Sequence, residues 1–249
     1  VNLHSLESTS AGVLDLKISH RFGFLNGGFY ELFGLDNASI RIGADYGITD
    51  RLTIGGGRSS FEKTYDGYLK YKLLRQSTGK RMMPITLAWF SSAAVKTVRW
   101  PDPERENFAS SRWYYTHQLI VGRKFSEFLS LQLSPTLVHR NLVSTSAESN
   151  DVFAMGIAGR VKLNKRVTLN AEYIYVLPDQ LAPEYRNSLS IGFDIETGGH
   201  VFQLHFTNST SMIEKGFITE TVGDWANGDI HFGFNISRVF TISQPRIRN

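Results

Sequence analysis

Short segments in which polar and apolar residues alternate recur along most of this 249-residue chain. Alternation with a period of two places the two sets of side chains on opposite faces of a β-strand. Within residues 39–57, one such strand leads into the tight turn Ile48-Thr-Asp-Arg51, and a second strand begins at Leu52. The turns Phe125-Ser-Glu-Phe128 and Leu163-Asn-Lys-Arg166 lead into alternating strands in the same way. This repetition predicts an all-β chain built from consecutive hairpins.

We predict about twelve strands, and most approach the nine to eleven residues with which a tilted strand crosses a bilayer. No linker or change in composition divides the sequence, so residues 1–249 are expected to form one domain. The predicted strands span residues 14–22, 39–47, 52–58, 65–74, 84–92, 112–123, 129–138, 152–163, 167–177, 188–196, 201–207 and 230–242.

The lengths of the connections depend on their position in the chain. Those after the odd-numbered strands are mostly long, at residues 23–37, 59–64, 93–111, 139–151, 178–187 and 208–229. Those after the even-numbered strands are short, at residues 49–51, 76–80, 124–127, 164–166 and 197–200. In a soluble β-sandwich, nothing requires the long loops to follow odd-numbered strands and the short loops to follow even-numbered ones. Outer-membrane barrels, in contrast, combine short periplasmic turns, long extracellular loops and an even strand number. We therefore predict a transmembrane antiparallel up-and-down β-barrel with both chain ends on the periplasmic side.

The two faces of the predicted strands differ in polarity. One face is dominated by aliphatic and aromatic side chains and is assigned to lipid, with aromatic residues near the strand ends at the membrane interfaces. The opposite face is small or polar and is assigned to the lumen. Eight strands enclose a filled interior and sixteen an open channel, so a barrel of about twelve allows an open or a plugged lumen. The charged and histidine residues predicted to line the lumen are Lys17, Arg21, Arg41, Asp45, Lys70, Lys72, Arg160, Lys162, Glu172, Asp194, His205 and His231.

Two long loops contain apolar residues that are expected to be shielded from water. In the first, Phe29, Leu32, Phe33 and Leu35 form one face of a short predicted helix ended by Gly34. We hypothesise that these four side chains form an infolded plug, and the alternative is a surface loop that caps the barrel mouth. The last loop, residues 208–229, is also rich in apolar residues. It either docks a partner, folds over the mouth or forms an ordinary ordered loop, and the last interpretation is favoured.

Composition excludes several classes of function. The chain has no Cys, so disulfides, CxxC metal or redox sites and c-type haem attachment are excluded. Phosphate-binding loops, HExxH motifs and calcium loops are missing as well, and we predict no cofactor and no metal site. A net charge of +4 is too mild to indicate nucleic-acid binding. The first residues are not a signal peptide, so we expect an export signal to have been removed before Val1.

The histidines raise two further hypotheses. His205 and His231 are predicted lumen neighbours near Asp194. One hypothesis is a metal or proton site, and the favoured alternative is a pair of polar lumen histidines. A His with a Ser and a polar orienting group on the outside of a barrel makes a lipid hydrolase. No Ser has a spacing that singles it out, so we expect no enzymatic activity.

Four pieces of sequence carry a family resemblance: His20-Arg-Phe-Gly23, residues 27–36, Ala44-Asp-Tyr-Gly-Ile-Thr-Asp50, and Lys63-Thr-Tyr-Asp-Gly67 with Lys70-Tyr-Lys72. They resemble a family of outer-membrane β-barrels from Bacteroidota that is described only as a domain of unknown function. The resemblance is strongest over residues 13–74. It implies an outer-membrane barrel of about this size, and it brings no substrate and no catalytic residue.

The sequence therefore predicts a barrel in the outer membrane of a Gram-negative bacterium. The favoured function is a narrow channel or porin for small solutes, with a weak anion preference set by the basic lumen residues. The first alternative is a non-conducting structural or docking subunit of an envelope complex, and an outer-membrane enzyme is less favoured. The expected partners are outer-membrane lipid and lipopolysaccharide, with other envelope proteins at the long extracellular loops, and no nucleic acid.

Overall fold

The structure, a computed structural model, describes residues 1–80, 82–197 and 200–243. Within these residues it contains twelve strands: β1 (Val13–Phe24), β2 (Ala38–Gly47), β3 (Leu52–Ser59), β4 (Tyr65–Leu74), β5 (Thr86–Val95), β6 (Trp113–Lys124), β7 (Leu129–Arg140), β8 (Asp151–Lys162), β9 (Val167–Val176), β10 (Ser188–Thr197), β11 (His200–Thr207) and β12 (His231–Thr241). Each strand pairs antiparallel with its sequence neighbours, and β1 pairs with β12 to close the barrel. The predicted up-and-down β-barrel is confirmed.

Three of the short turns share one local design. Thr49, Ser126 and Asn164 each occupy the second position of a four-residue turn. Their side-chain oxygens accept hydrogen bonds from the backbone N–H groups two and three residues later, at 2.9–3.2 Å. Such side chains replace backbone partners in tight turns, which explains why these residue types recur there. Residues 198 and 199 of the predicted turn 197–200 lie outside the described residues.

Helical structure in the described chain is confined to the long loops. It comprises the helix α1 (Glu214–Thr219) and 3₁₀ turns within Leu25–Gly34, Phe61–Lys63, Ala109–Arg112 and Trp225–Asn227. None of the helices in the described residues has the length and apolar character required to cross a bilayer.

The strand boundaries depart most from prediction at β5, which begins at Thr86 rather than Pro84 and continues to Val95 rather than residue 92. The neighbouring strands β4 and β6 supply backbone pairing partners along its whole length. At its end, Val95 pairs with Tyr65 of β4 and with Trp113 of β6. A backbone group left unpaired in lipid costs several kcal/mol, so the strand continues while partners remain.

The outer face of the barrel is an almost continuous apolar band. Leu133, Ile157, Ile191, Leu204 and Phe206 point outward and are each between 37% and 49% exposed. A band of this size around a closed sheet has no protein to cover it, and a bilayer is the environment that removes it from water.

The outward assignment predicts a large asymmetry between arginine substitutions on the two faces. Ile191→Arg, near the middle of β10, should lower the free energy of unfolding by about 2–4 kcal/mol. Ser237→Arg, on the lumen face of β12 beside the interior cavity, should cost less than about 1 kcal/mol. Urea unfolding from lipid vesicles measures both values. Equal, small costs would contradict the membrane assignment.

Candidate functional site in the barrel lumen

The N-terminal segment (residues 1–10) lies inside the barrel. Glu172, on β9, accepts hydrogen bonds from the backbone N–H of Asn2 at 2.6 Å and of Leu3 at 3.1 Å. Lys70, on β4, donates to the carbonyl oxygens of Ser5 at 2.9 Å and Glu7 at 2.5 Å. Wall residues therefore satisfy the polar backbone of a segment that has no strand partner of its own.

Apolar contacts explain why this segment enters the lumen. Leu3 packs against a buried cluster that includes Val138 and Ile174, and Leu6 packs against Phe90 and Ile120. These four wall residues face inward on β5, β6, β7 and β9, where a water-filled lumen would carry polar side chains. The inner wall thus has an apolar sector that the two leucines cover.

The last long loop also folds inward. Residues 208–230, here named the infolded loop, include α1, all six residues of which are buried. Phe217 and Ile218 join the cluster around Val138, and Leu3 packs against the same cluster. The loop enters from the long-loop end of the barrel and the N-terminal segment from the short-turn end. Their apolar side chains meet in one shared core.

Arg21, on β1, joins the two inner segments. Its guanidinium donates to the carbonyl oxygen of Ser209 at 2.6 Å, to that of Ser211, and to the side-chain oxygen of Asn2. The Arg21 side chain is buried, so these acceptors replace water. A single wall residue therefore holds the infolded loop and the N-terminal segment together.

An ion-pair network fastens the infolded loop at the long-loop end. Lys215 of α1 pairs with Glu62 in the β3–β4 loop, and with Glu220 at 2.7 Å. Lys96, just after β5, pairs with Glu62 and lies 3.9 Å from Glu220. The Lys215 ammonium also lies 4.5 Å from the centre of the Tyr114 ring.

Titration in this network depends on the competition between burial and charge. Burial alone would raise the pKa of Glu62, but the Lys215 and Lys96 ammonium groups outweigh it, and the pKa lies below the ordinary 4.5. Burial alone would lower the pKa of Lys96, but Glu220 and Glu62 raise it well above its ordinary value. Glu62 and Lys96 are therefore both held in their charged forms at neutral pH.

Because the pKa of Glu62 is lowered by folding, its contribution to stability is present above pH 4.5 and is lost as the pH falls through the lowered pKa. We expect Glu62→Gln to lower the melting temperature at pH 7, and the difference from wild type to shrink toward zero on acidification. Glu104→Gln, at an exposed loop position, is the control and should leave the melting temperature unchanged at every pH. A difference for Glu62→Gln that stays constant with pH would contradict the ionised pair.

A polar cavity of about 740 Å³ remains beside the inner segments. Its walls come mainly from β1, β2, β4 and β10–β12, opposite the apolar sector, and it extends to the short-turn ends of β1 and β12 at Val13 and Val239. The predicted lumen residues that line it are Lys17, Arg41, Asp45, Lys70, Arg160 and Asp194.

Most of these charges have partners. Lys17 pairs with Asp45 and, at 3.6 Å, with Asp15. Arg160 lies 3.7 Å from Glu7 and 3.5 Å from Glu196. The basic groups of the cavity wall are therefore largely neutralised by carboxylates.

The Arg41–Asp66 pair is the most enclosed of these contacts. The Arg41 guanidinium binds both carboxylate oxygens of Asp66, with Nε to Oδ1 at 2.9 Å. The guanidinium approaches Gly57 of β3 so closely that a Cβ atom there would stand 2.9 Å from its central carbon. The lack of a side chain at Gly57 makes this bidentate geometry accessible.

The other predicted lumen residues occupy three different environments. Arg21, Glu172 and His205 are buried against the inner segments rather than lining the cavity. His231 is buried as well, with Nδ1 at 2.8 Å from the Phe22 carbonyl oxygen and Nε2 at 3.0 Å from the Thr210 hydroxyl. Lys72 and Lys162 lie near the short-turn ends of β4 and β8, where Lys162 is exposed.

The two lumen histidines do not form a joint site with Asp194. Asp194 accepts a hydrogen bond from Gln203 at 2.5 Å, and His231 bonds to Phe22 and Thr210. His205 has no hydrogen-bond partner among the described residues. In the described part of the chain, no group of three or more His, Cys, Asp or Glu side chains is placed to hold a metal ion.

The hypothesis that Phe29, Leu32, Phe33 and Leu35 form a plug is wrong. These side chains are between 46% and 85% exposed. Their loop folds back on β1, because Gly34 packs so closely on Gly23 that a Cβ atom would stand 2.5 Å from the Gly23 carbonyl oxygen. The lumen is filled instead by the N-terminal segment and the infolded loop.

Several contributors to the lumen were not predicted from the sequence. They include the N-terminal segment and the charged residues Asp66, Glu214 and Lys215, none of which has a motif. Asp66 shares the inward parity of Lys70 on β4, so the alternation was sufficient to assign its face, although Asp66 was not among the predicted lumen residues. The apolar residues Phe90 and Ile120 interrupt the polar pattern of the lumen face. This interruption indicates that another part of the chain covers them inside the barrel.

Comparisons with known proteins agree with this architecture. The profile of the family described as "Membrane bound beta barrel domain (DUF5777)" matches residues 1–240. Among solved structures, the NanC porin in its rhombohedral crystal form is 8% identical, with a TM-score of 0.55 over 93% of this chain and 100% of that chain. The KdgM porin is also 8% identical, with a TM-score of 0.53 over 92% and 99%. These likenesses show the fold alone. A search of curated proteins found no match.

Proposed function

This chain belongs to the DUF5777 family of membrane-bound β-barrel domains, and from that premise we propose that it is a gated channel for small hydrophilic solutes. The chain is a porin-like barrel of the bacterial outer membrane. The observation that carries the proposal is the polar cavity of about 740 Å³, which extends from the short-turn end toward the infolded loop. The family resemblance noted in the sequence is confirmed, whereas an origin in Bacteroidota stays a prediction.

The charges of the cavity favour cations over anions. Among the described residues that line it, seven are Asp or Glu and four are Lys or Arg. The basic groups are engaged by carboxylates or backbone carbonyls, and one oxygen of Asp15 has no hydrogen-bond partner. The anion preference expected from the basic lumen residues alone therefore reverses once their acidic neighbours are counted.

The infolded loop is the proposed gate. It fills the lumen at the long-loop end, which is the extracellular side in outer-membrane barrels. The cavity ends against its residues Met212, Ile213 and Glu214. Passage of a solute requires this loop to move, and its attachments at Arg21 and in the Lys215 network set the cost of that motion.

Recordings in planar lipid bilayers test the proposal. In a KCl gradient, the purified barrel should show brief openings from a closed state, with a reversal potential of the sign expected for a cation-preferring pore. Asp15→Asn with Asp194→Asn should weaken that preference, because both carboxylates line the cavity. Asp151→Asn, which lies outside the cavity, should leave it unchanged.

A non-conducting docking subunit is the second candidate. The observation in its favour is that two separate segments of the chain fill the lumen and share one apolar core. Such a barrel would stay silent in bilayers even after the attachments of the infolded loop are removed. Silence of the Arg21→Ala variant would therefore favour this alternative over the channel.

A further inference from the structure

Two polar residues interrupt the lipid-facing side of the barrel at one point. Ser91 on β5 and His117 on β6 are direct cross-strand partners. Both belong to the outward set, which includes Trp89, Tyr115 and Leu119. The Ser91 hydroxyl oxygen lies 3.0 Å from the His117 Nδ1 atom. Among the described residues this is the only hydrogen bond of the His117 ring, so the second ring nitrogen faces the membrane without a protein partner.

An apolar groove of about 450 Å³ adjoins this pair on the outer wall. Its sides are formed largely by Trp89, Leu119, Leu137, Phe153, Met155 and Leu177, with Pro135 between them. Pro135 has no N–H to donate, and the β6–β7 pairing stops after Gln118 and Thr136 and resumes at Val121 and Leu133. The groove therefore coincides with a local opening in the ladder.

The position of the groove determines what can occupy it. It faces the bilayer, and Leu177 lies just beyond β9 at the long-loop end, so a hydrocarbon chain of the outer leaflet can enter from that side. Trp113 is the first residue of β6 and lies at its long-loop end, where aromatic side chains mark the membrane interface. His117 follows it by four positions, which places the imidazole roughly 9 Å deeper for a strand tilted by about 45°. Lipid headgroups do not reach this depth. A hydrogen-bond partner for the free ring nitrogen of His117 therefore has to be an oxygen atom on the acyl chain itself.

We propose that this groove is a binding site for one outer-leaflet lipid whose acyl chain carries a hydroxyl or acyloxy oxygen, as in lipid A. The chain lies along the apolar groove, and its oxygen exchanges a hydrogen bond with the Ser91–His117 pair. A polar group in hydrocarbon costs free energy unless it is bonded, so the unpartnered ring nitrogen favours a lipid that satisfies it. A lipid with plain acyl chains covers the groove and leaves that nitrogen unpaired.

Native mass spectrometry of the full barrel, with purified lipid A or with plain-chain phosphatidylethanolamine, tests this site. The wild type should retain one lipid A and bind phosphatidylethanolamine more weakly. His117→Leu should weaken lipid A binding about tenfold, the value of one hydrogen bond near 1.4 kcal/mol. Leu119→Phe, which adds bulk to the groove without introducing a polar group, should weaken both lipids.

The matched control is His20→Leu. His20 also belongs to the outward set, but lies on β1, where it stacks on Phe234 outside the groove. Lipid A binding should be unchanged in this variant, and the heat-modified electrophoretic mobility of every variant verifies folding.

Four results would overturn the site: equal binding in His117→Leu and the wild type, equal binding of the two lipids, a dimer of the chain in place of bound lipid, or release of fatty acid that depends on Ser91. The last would instead indicate hydrolysis.

Discussion

Replacing Arg41 by glutamate is expected to lower the free energy of unfolding by about 3–5 kcal/mol. The Arg41 guanidinium and the Asp66 carboxylate form a bidentate pair, and their side chains are only 13% and 5% exposed. The substitution removes the cation and places a second carboxylate next to the first, where neither is well hydrated. Urea unfolding from lipid vesicles measures the loss, and Arg41→Glu combined with Asp66→Arg should recover part of it.

Lys72→Glu is the matched control for this charge reversal. Lys72 lies on the same inner face near the short-turn end of β4, is partly exposed, and forms no ion pair among the described residues. Its reversal should cost less than about 1 kcal/mol. Equal, small costs at Arg41 and Lys72 would indicate a hydrated, open lumen in which the Arg41–Asp66 pair contributes little.

Removal of the Arg21 side chain should have the second large effect, on gating as well as on stability. In Arg21→Ala, the buried carbonyl oxygens of Ser209 and Ser211 lose their donor, at about 1–3 kcal/mol for each unsatisfied group. The N-terminal segment loses its contact through Asn2 at the same time. We expect a loss of about 3–5 kcal/mol in unfolding free energy, and an open probability at least about tenfold above wild type in bilayer recordings.

Arg21→Lys separates charge from geometry at this position. Lysine keeps the cation but has no planar fork to reach two carbonyls and the Asn2 side chain together. Its stability and open probability should therefore fall between those of wild type and Arg21→Ala. If both variants unfold and conduct as the wild type does, Arg21 does not hold the inner segments.

The wall of the barrel was predictable because its rules are local. Alternation assigns each side chain to a face, and Thr49, Ser126 and Asn164 mark their turns by bonding to the backbone two and three residues away. The sorting of loops by length then gives the topology. These features need no knowledge of contacts between distant residues.

The contents of the lumen were not predictable in the same way, because they depend on contacts across the barrel. Leu3 and Phe217 meet on a wall sector that includes Val138 and Ile174, and no local pattern connects these four positions. From the sequence, the apolar residues of the first long loop were a more obvious candidate for the segment that fills the lumen. Phe33, however, adopts a left-handed conformation with φ of 54° in a loop that folds back on its own strand, away from the lumen. Apolar character alone does not decide which loop folds inward.

A cleavable cross-link tests most directly whether the infolded loop closes a solute path through the barrel. The chain has no Cys, so Glu62→Cys with Lys215→Cys can be joined specifically by a short bis-maleimide with a reducible spacer. The unlinked double variant should open more often than wild type, because it lacks the ion pair that fastens the loop. Linkage should abolish the conductance of the double variant, and reduction of the spacer should restore it. The conductance of either single variant should be unchanged by both treatments. A linked barrel that conducts as well as the unlinked one would contradict the account.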